Sequence, residues 1–393
     1  MKKLFLASAV SALFAAPTTV LAQAKPGAVP TLDKVLEASG ISVSGYIDMQ
    51  YTHANRNLET GFSTRVFDSQ NNSFVLHQFG LSVSKLPKEG FGGLVNVTAG
   101  KDAQLIHSFS GVVRDTGGDA VPDTSLFDLT QAYAQYARGP LTLIAGKFVT
   151  LQGSEVIWSP TNFNISHSIH FGAIPFTHTG VRGSWALNDQ VTLYAGLNNG
   201  WDQLTDANRS KTVELGASLN PIKPLTITVS DYSGKETAAP SGAALGGGGD
   251  GKRNSLNAVA SYAISEPLSI GVEVLQVSQE NFVSLTPPFT TIKAKYSGVA
   301  GYITYMFTPK YRGVLRVESF DDKDGLRFGF PAATTSSTKY KEVTLTGAYL
   351  PADNFELRAE VRRDTATNPV FTDFAGQTSK SLMTLALQGL YKF

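Results

Sequence analysis

The sequence predicts an all-β fold: a transmembrane antiparallel β-barrel of about sixteen strands, with short periplasmic turns and long outer loops. Three observations carry this expectation: the pattern of the last thirteen residues, its repetition along the chain, and the regular exchange of short and long connections. Between Ser381 and Phe393, apolar Met383, Leu385, Leu387, Tyr391 and Phe393 fall at every second position, with Gly389 in the remaining slot. Thr384, Ala386, Gln388 and Lys392 lie between them. Period two belongs to a strand with one apolar and one wetter face.

From the amino terminus, Lys2 and Lys3 precede an apolar run from Leu4 to Ala16, and Ala22-Gln23-Ala24 offers a small-x-small cleavage site. That order predicts a secretory signal peptide over 1–24 and a mature chain beginning near Lys25. In the segment 25–40, Leu32, Val35 and Leu36 fall at helical spacing and predict one short helix between Thr31 and Ser39. The barrel is expected over 41–393. No later stretch reaches the ~20 apolar residues of a membrane-spanning helix.

Cysteine is absent, which excludes disulfides and thiolate metal sites. Formal charge is +1, and removing Lys2 and Lys3 leaves 31 basic against 32 acidic residues. Nucleic acid as a partner would need a basic excess, so it is not expected. Mean hydropathy is -0.05, low for membrane helices but expected of a barrel in which half of each strand faces water.

Alternation begins at the first strand, where Ile41, Val43, Ile47, Met49 and Tyr51 oppose Ser42, Ser44, Asp48 and Gln50. It returns in Val213, Leu215, Ala217 and Leu219 against Thr212, Glu214, Ser218 and Asn220. Val343, Leu345 and Tyr349 likewise oppose Glu342, Thr344 and Thr346. The sharpest case sets Phe355, Leu357, Ala359 and Val361 against Glu356, Arg358, Glu360 and Arg362. Four charges on one strand face fit a wet lumen and not a sandwich core.

Short connections rich in Pro, Gly, Asn or Asp occur at Leu86–Gly90, Gly139–Pro140, Asn188–Gln190, Pro221–Pro224, Ser265–Pro267, Thr308–Lys310 and Pro351–Asn354. Proline fixes φ, and Asn and Gly tolerate left-handed backbone, so these are turns. Longer polar connections alternate with them, among them His53–Ser73, Asp102–Ser125, Thr150–Thr177, Gly234–Asn254, Asp321–Lys339 and Thr365–Ser379. Eight hairpins follow, with both ends periplasmic. Closure removes the sheet edges that lipid would leave unsatisfied, and about sixteen strands leave an aqueous channel. Tyr46, Tyr51, Tyr262, Tyr302, Tyr305, Phe307, Tyr349 and Tyr391 are candidates for interfacial girdles.

The middle of the chain runs Gly146-Lys147-Phe148, Gly153-Ser154-Glu155, Ser166-His167-Ser168 and Gly172-Ala173-Ile174-Pro175-Phe176-Thr177-His178-Thr179-Gly180. With Ala38-Ser39-Gly40-Ile41 and Ser44-Gly45-Tyr46-Ile47-Asp48, these motifs resemble the OmpL-like β-barrel porins of Gram-negative bacteria, over roughly the whole mature chain. The resemblance implies a bacterial outer-membrane porin for passive diffusion of small hydrophilic solutes or ions, without cofactor or energy coupling. It also implies that loop 150–177 folds inward as a constriction, since general porins use their third outer loop that way. Outer-membrane lipid is one implied partner. A barrel that ends on an aromatic residue resembles those whose assembly machinery reads that residue, here Phe393. General porins commonly form homotrimers. A substrate-specific channel is the alternative function, followed by a barrel-embedded hydrolase or a structural barrel.

Arg312, Arg316, Glu318, Glu356, Arg358, Glu360 and Arg362 are the pore-lining candidates, because their positions share the inward faces of the thirteenth and fifteenth strands. Arg182, Glu214 and Glu273 are expected to point inward as well. Glu155, His167 and His170 are the loop-side candidates. Basic wall opposite acidic loop would give a transverse field, while pairing of opposite charges would simply keep the lumen wet.

His167, His170 and His178 raise a metal site, but lack cysteine, carboxylate partners and a rigid frame, so no metal is expected. Gly246 to Arg253 is one residue short of a phosphate loop, with Arg253 where Ser or Thr should hold magnesium; a flexible outer loop is the expectation. Ser166, His167, Ser168 and His170 are adjacent in sequence, unlike catalytic sets that meet through folding, and no Gly-x-Ser-x-Gly elbow occurs.

Overall fold

The computed structural model describes residues 31–393 apart from 57, 59–63, 69, 110–125, 207, 237–250, 284–289 and 330–336. The signal peptide expected over 1–24 lies outside the described residues. Residues Leu32–Ser39 form helix α1, closed at its end by Ser39 Oγ donating to Leu36 O at 2.7 Å.

Gly40 onward is a closed antiparallel barrel of sixteen strands, each bonded to its sequence neighbours. The first eight are β1 (Ser42–Ala54), β2 (Ser73–Lys85), β3 (Gly90–Ala99), β4 (Phe127–Arg138), β5 (Leu141–Val149), β6 (Thr177–Asn188), β7 (Val191–Asn198) and β8 (Thr212–Ile222). The rest are β9 (Leu225–Glu236), β10 (Gly251–Ala263), β11 (Leu268–Val283), β12 (Thr291–Thr308), β13 (Tyr311–Asp322), β14 (Thr338–Ala352), β15 (Phe355–Ala366) and β16 (Ser381–Lys392). The seven turn segments read from the sequence join β2–β3, β4–β5 and so on to β14–β15. Among the described residues, no helix is long and apolar enough to cross a membrane.

Closure runs through β1 and β16, from Tyr46 opposite Lys392 to Ala54 opposite Thr384. Gly45 N donates to Phe393 O at 2.8 Å and Phe393 N to Gly45 O at 2.9 Å, so the last residue completes the seam. A Cβ on Gly45 would stand 2.5 Å from the Phe393 ring and 2.8 Å from Gly80 O. Only glycine lets that ring lie over the joint.

Alternation sorts the side chains as expected. Ile47 and Met49 face outward while Asp48, Gln50 and Thr52 are buried inside. On β15, Glu356, Arg358, Glu360 and Arg362 are buried, with Leu357 and Val361 exposed outward. Tyr262, Tyr305, Phe307, Tyr349, Tyr391 and Tyr51 keep to the outward parity. Two girdle candidates do not. Tyr46 shares the inward face of Asp48 and is 1 % exposed, its hydroxyl bonded to Gln78. Tyr302 pairs with inward Arg316 and lies inside too. In Tyr46-Ile47 both residues are apolar, so composition left the parity open there.

The connection expected to be a polar loop at Asp102–Ser125 begins as helix α2 (Lys101–Phe109). Asp102 stands in its first turn, where a negative charge suits the helix dipole, and Ala103 and Ile106 are buried. Gly251, Lys252 and Arg253, expected with the glycine run to be loop, are the start of β10; residues 246–250 lie outside the described residues. Gly251 pairs with Glu236, and a Cβ on it would sit 1.7 Å from Glu280 O.

Two apolar clusters fill the barrel's interior toward the long loops. One gathers Val66, Phe67, Ile106, Ile157, Phe171 and Phe176, drawn from the first three outer connections. The other packs Ile169, Ile174, Trp201, Leu326 and Phe371 against inward wall residues such as Leu275, Val277 and Phe320. Burial of this apolar surface away from water holds the loops against the wall.

Candidate functional site

The segment 150–177 leaves β5 and meets the inner wall almost at every turn. Tyr232 Oη accepts from Leu151 N at 3.0 Å, Asn257 Oδ1 from Gly153 N at 3.1 Å, and Glu273 Oε2 from Ser154 N at 2.9 Å. Gly153 takes φ +97°, a left-handed conformation with Ile174 close by, which suits glycine. Trp158 Nε1 then donates to Asn96 Oδ1 at 3.2 Å on β3, its ring 5.5 Å from that of Tyr46.

Two wall carboxylates receive the returning half of the loop. Glu360 accepts from Ile165 N at 2.6 Å and Ser166 N at 3.1 Å. Glu318 accepts from Ile169 N at 2.6 Å, His170 N at 3.2 Å and His170 Nδ1 at 2.6 Å. Irregular backbone buried without such acceptors would be unstable. The arginines do the complementary work on carbonyls. Arg316 donates to Ser166 O and Glu155 at 2.6 Å each, and to Glu342 at 2.7 Å. Arg362 reaches His167 O and Asp364, and Arg358 reaches Glu356 and, at 3.5 Å, Asn164 O. Arg312 bonds Glu356 at 2.7 Å and stands 4.4 Å over the Phe163 ring.

All seven wall candidates from the sequence thus lie inside the barrel, brought together around one loop. Arg316 and Arg362 are 0 % exposed, sealed against the loop rather than open to solvent. Of the loop candidates, Glu155 takes Arg316 and the Ser168 N–H, and His167 Nε2 stands 3.0 Å from both Asn162 Nδ2 and Val156 O. His170 joins Glu318. Burial opposes its charged ring, but the hydrogen bond and charge of Glu318 outweigh that and raise His170 to about 9. His178 bonds Gly200 O and stacks on Tyr232 at 4.4 Å, so the three histidines diverge. No group of metal-ligating side chains occurs among the described residues. Arg182 and Glu214, both expected inward, form a buried pair.

Several contributors escaped the sequence reading. Asp364 continues the inward parity of Arg362 and was findable by spacing. Arg65, which bonds Asp68 at 2.8 Å, Thr384 at 3.0 Å and Asp364, carries no local signal. Tyr296 Oη donating to Ala173 O at 2.6 Å, and Arg327 Nε to Gly172 O at 2.6 Å, also required the fold. Beneath the loop remains a cavity of about 190 Å³, bounded by Ser154, Glu155 and Phe163 above and by Ser261, Ser269 and Tyr302 on the wall.

Among solved structures, the outer membrane channel DcaP of Acinetobacter baumannii superposes with a TM-score of 0.58 at 14% identity, covering 90% of this chain and 97% of that one. The anion-selective porin from Comamonas acidovorans gives 0.61 at 9% identity, over 90% and 99%. OmpT of Vibrio cholerae, in its trimer form, gives 0.59 at 11% identity, over 90% and 99%. At such identities these likenesses establish the fold. No curated protein matches this chain. Residues 40–393 match the family described as "Putative beta-barrel porin-2, OmpL-like", and with a closed sixteen-strand barrel the chain belongs to the OmpL-like porins of the bacterial outer membrane.

Proposed function

We propose that this porin is a passive diffusion channel for small hydrophilic solutes and ions, narrowed by loop 150–177. One observation carries the reading: Glu318 and Glu360 accept backbone N–H groups of the loop while Arg316, Arg358 and Arg362 donate to its carbonyls. Both signs of wall charge are spent on positioning the loop, which supports a fixed constriction with weak ion preference. No energy source is needed for movement down a gradient.

The chain has no cysteine, so single-cysteine labelling tests this cleanly. Phe163 is 43 % exposed on the loop beside the cavity. Phe163→Cys treated with a charged thiol reagent should lose most of its single-channel conductance. A cysteine on an outward strand position such as Leu345→Cys should not. Unchanged conductance after complete labelling of Phe163→Cys contradicts the constriction.

Homotrimer assembly belongs to the same proposal. OmpT of Vibrio cholerae has a trimer form, and this barrel's outward face carries two apolar grooves paved with small residues, Gly347, Ala359 and Gly389 in one and Ala145, Gly183 and Ala195 in the other. Small side chains let neighbouring backbones approach closely in lipid. Recognition of Phe393 by the assembly machinery is the remaining proposed partnership. Against a hydrolase, Ser166 Oγ accepts from Arg316 and Arg362 at 3.1 Å, and Ser168 Oγ accepts from Phe171 N at 2.9 Å. Family and fold support a channel over an enzyme.

A further inference from the structure

The inner wall is chemically lopsided on the side of the short turns. From β7 to β12, the inward positions beyond Glu214 and Glu273 include the hydroxyls of Thr192, Ser218, Thr228, Ser261, Ser269 and Thr304, with Val259 and Tyr302 among them. Among the described residues, these six strands place no charged side chain on that stretch of the inward face. Ser261, Ser269 and Thr304 also bound the 190 Å³ cavity beneath the loop. Taking about 30 Å³ per water in the liquid, that space corresponds to about six waters, the scale of one small hydrophilic solute.

Two aromatic rings border this cavity, Phe163 from the loop and Tyr302 from β12. The Tyr302 hydroxyl is enclosed and has no hydrogen-bond partner among the described residues. Enclosed in this way, the hydroxyl lies out of a solute's reach, and Tyr302 offers the cavity its ring. Asn162 and Asn164 add amides to the roof, both already bonded within the protein.

Charge around the cavity is already committed. Glu155 is the one ionisable carboxylate in its lining, and it holds Arg316 and the Ser168 N–H. On the adjoining β13, and on β15 and β16, Arg312, Arg358 and Lys392 share Glu356. Arg312 and Arg358 are only 7 % and 3 % exposed, the first beneath Phe163 and the second turned to Asn164 O. A charged solute in the cavity would have to compete with these ion pairs for a counter-charge and would lose hydration. Hydroxyls, in contrast, both donate and accept, and the apolar C–H faces of a polyol suit aromatic rings.

Building on the diffusion-channel reading, we infer that the cavity under the loop, where Ser261, Ser269 and Thr304 stand among apolar Val259 and Val314 and two aromatic rings, is a subsite for small uncharged polyols of monosaccharide size, which makes them the favoured solutes. The test is swelling of liposomes loaded with the purified protein, using glucose, gluconate and glucosamine as size-matched probes. Glucose should enter about threefold faster than either charged analogue, the effect expected of one hydrogen bond. The variant Ser261→Ala/Ser269→Ala/Thr304→Val should lower the glucose rate about threefold with potassium chloride conductance retained. Tyr302→Leu, which removes the ring from the cavity, should act in the same direction. Equal rates for the three probes, faster gluconate, or variants that leave glucose entry unchanged overturn the subsite. Absence of any conductance in the wild-type protein overturns the channel reading instead.

Discussion

Arg316 and Glu155 are 161 positions apart in the chain and 2.6 Å apart inside the barrel. The same guanidinium holds Glu342 and the Ser166 carbonyl, so one wall side chain ties together β13, β14 and both arms of the loop. An ion pair enclosed this way interacts strongly but has lost its hydration. Its effect is therefore geometric: the pair selects one position of the loop.

Removing that guanidinium gives the most direct structural test. Arg316→Met leaves Glu155 and Glu342 enclosed without their cation, a loss of about 3–5 kcal/mol for a broken buried pair. A lower Tm in detergent and larger, noisier single-channel currents are expected. Wild-type Tm and conductance in this variant would show that the loop is held by other means.

Alkaline pH should loosen the loop's attachment to β13 at His170. The folded-state value of His170, about 9, lies above the ordinary imidazole value. Its contribution to stability is then complete below about 6.5 and is lost as pH rises through about 9. Current noise should grow between pH 8 and 10 in the wild type, and His170→Gln, which cannot titrate, should flatten that rise. A pH-independent trace in the wild type contradicts this.

Space around the same ring is equally constrained. A Cβ on Gly298 would sit 2.5 Å from His170 Nε2 and 2.9 Å from Ser319 O. Gly298→Val should displace the ring, lower the Tm, and remove the alkaline transition together with it. Retention of the transition would place its origin elsewhere.

The seam residue separates assembly from stability. Phe393 is 52 % exposed and its backbone bonds to Gly45 survive side-chain truncation. Phe393→Ala should therefore reduce the yield of protein in the outer membrane several-fold while shifting the Tm of the folded barrel only slightly. A wild-type yield would remove the proposed role in assembly.

Strands and turns were legible because each repeats a local rule: period two for Phe355 to Arg362, and Pro, Gly or Asn at each short connection. The parity of Arg312, Arg316, Glu356 and Arg362 was legible for the same reason. What they touch was not. Parity says which face a side chain takes but nothing of the chain brought opposite it, and Arg65, Tyr296 and Arg327 reach the loop from distant segments. Tyr46 and Tyr302 show the limit on the walls themselves: a tyrosine suits the membrane interface and a packed interior equally, and neighbouring apolar residues blur the alternation. Helix α2 was hidden inside a polar connection because its buried face is short and its packing partners lie in other loops and on the wall at β2 to β4.

Loop 150–177 is proposed to limit flow through the barrel. The direct measurement is single-channel conductance in planar bilayers for the wild type and for a variant with 156–168 replaced by a short Gly-Ser link. Discrete ohmic steps are expected in the wild type and several-fold larger steps in the variant. Steps of equal size in the two proteins, or none in either despite a folded barrel, would contradict it.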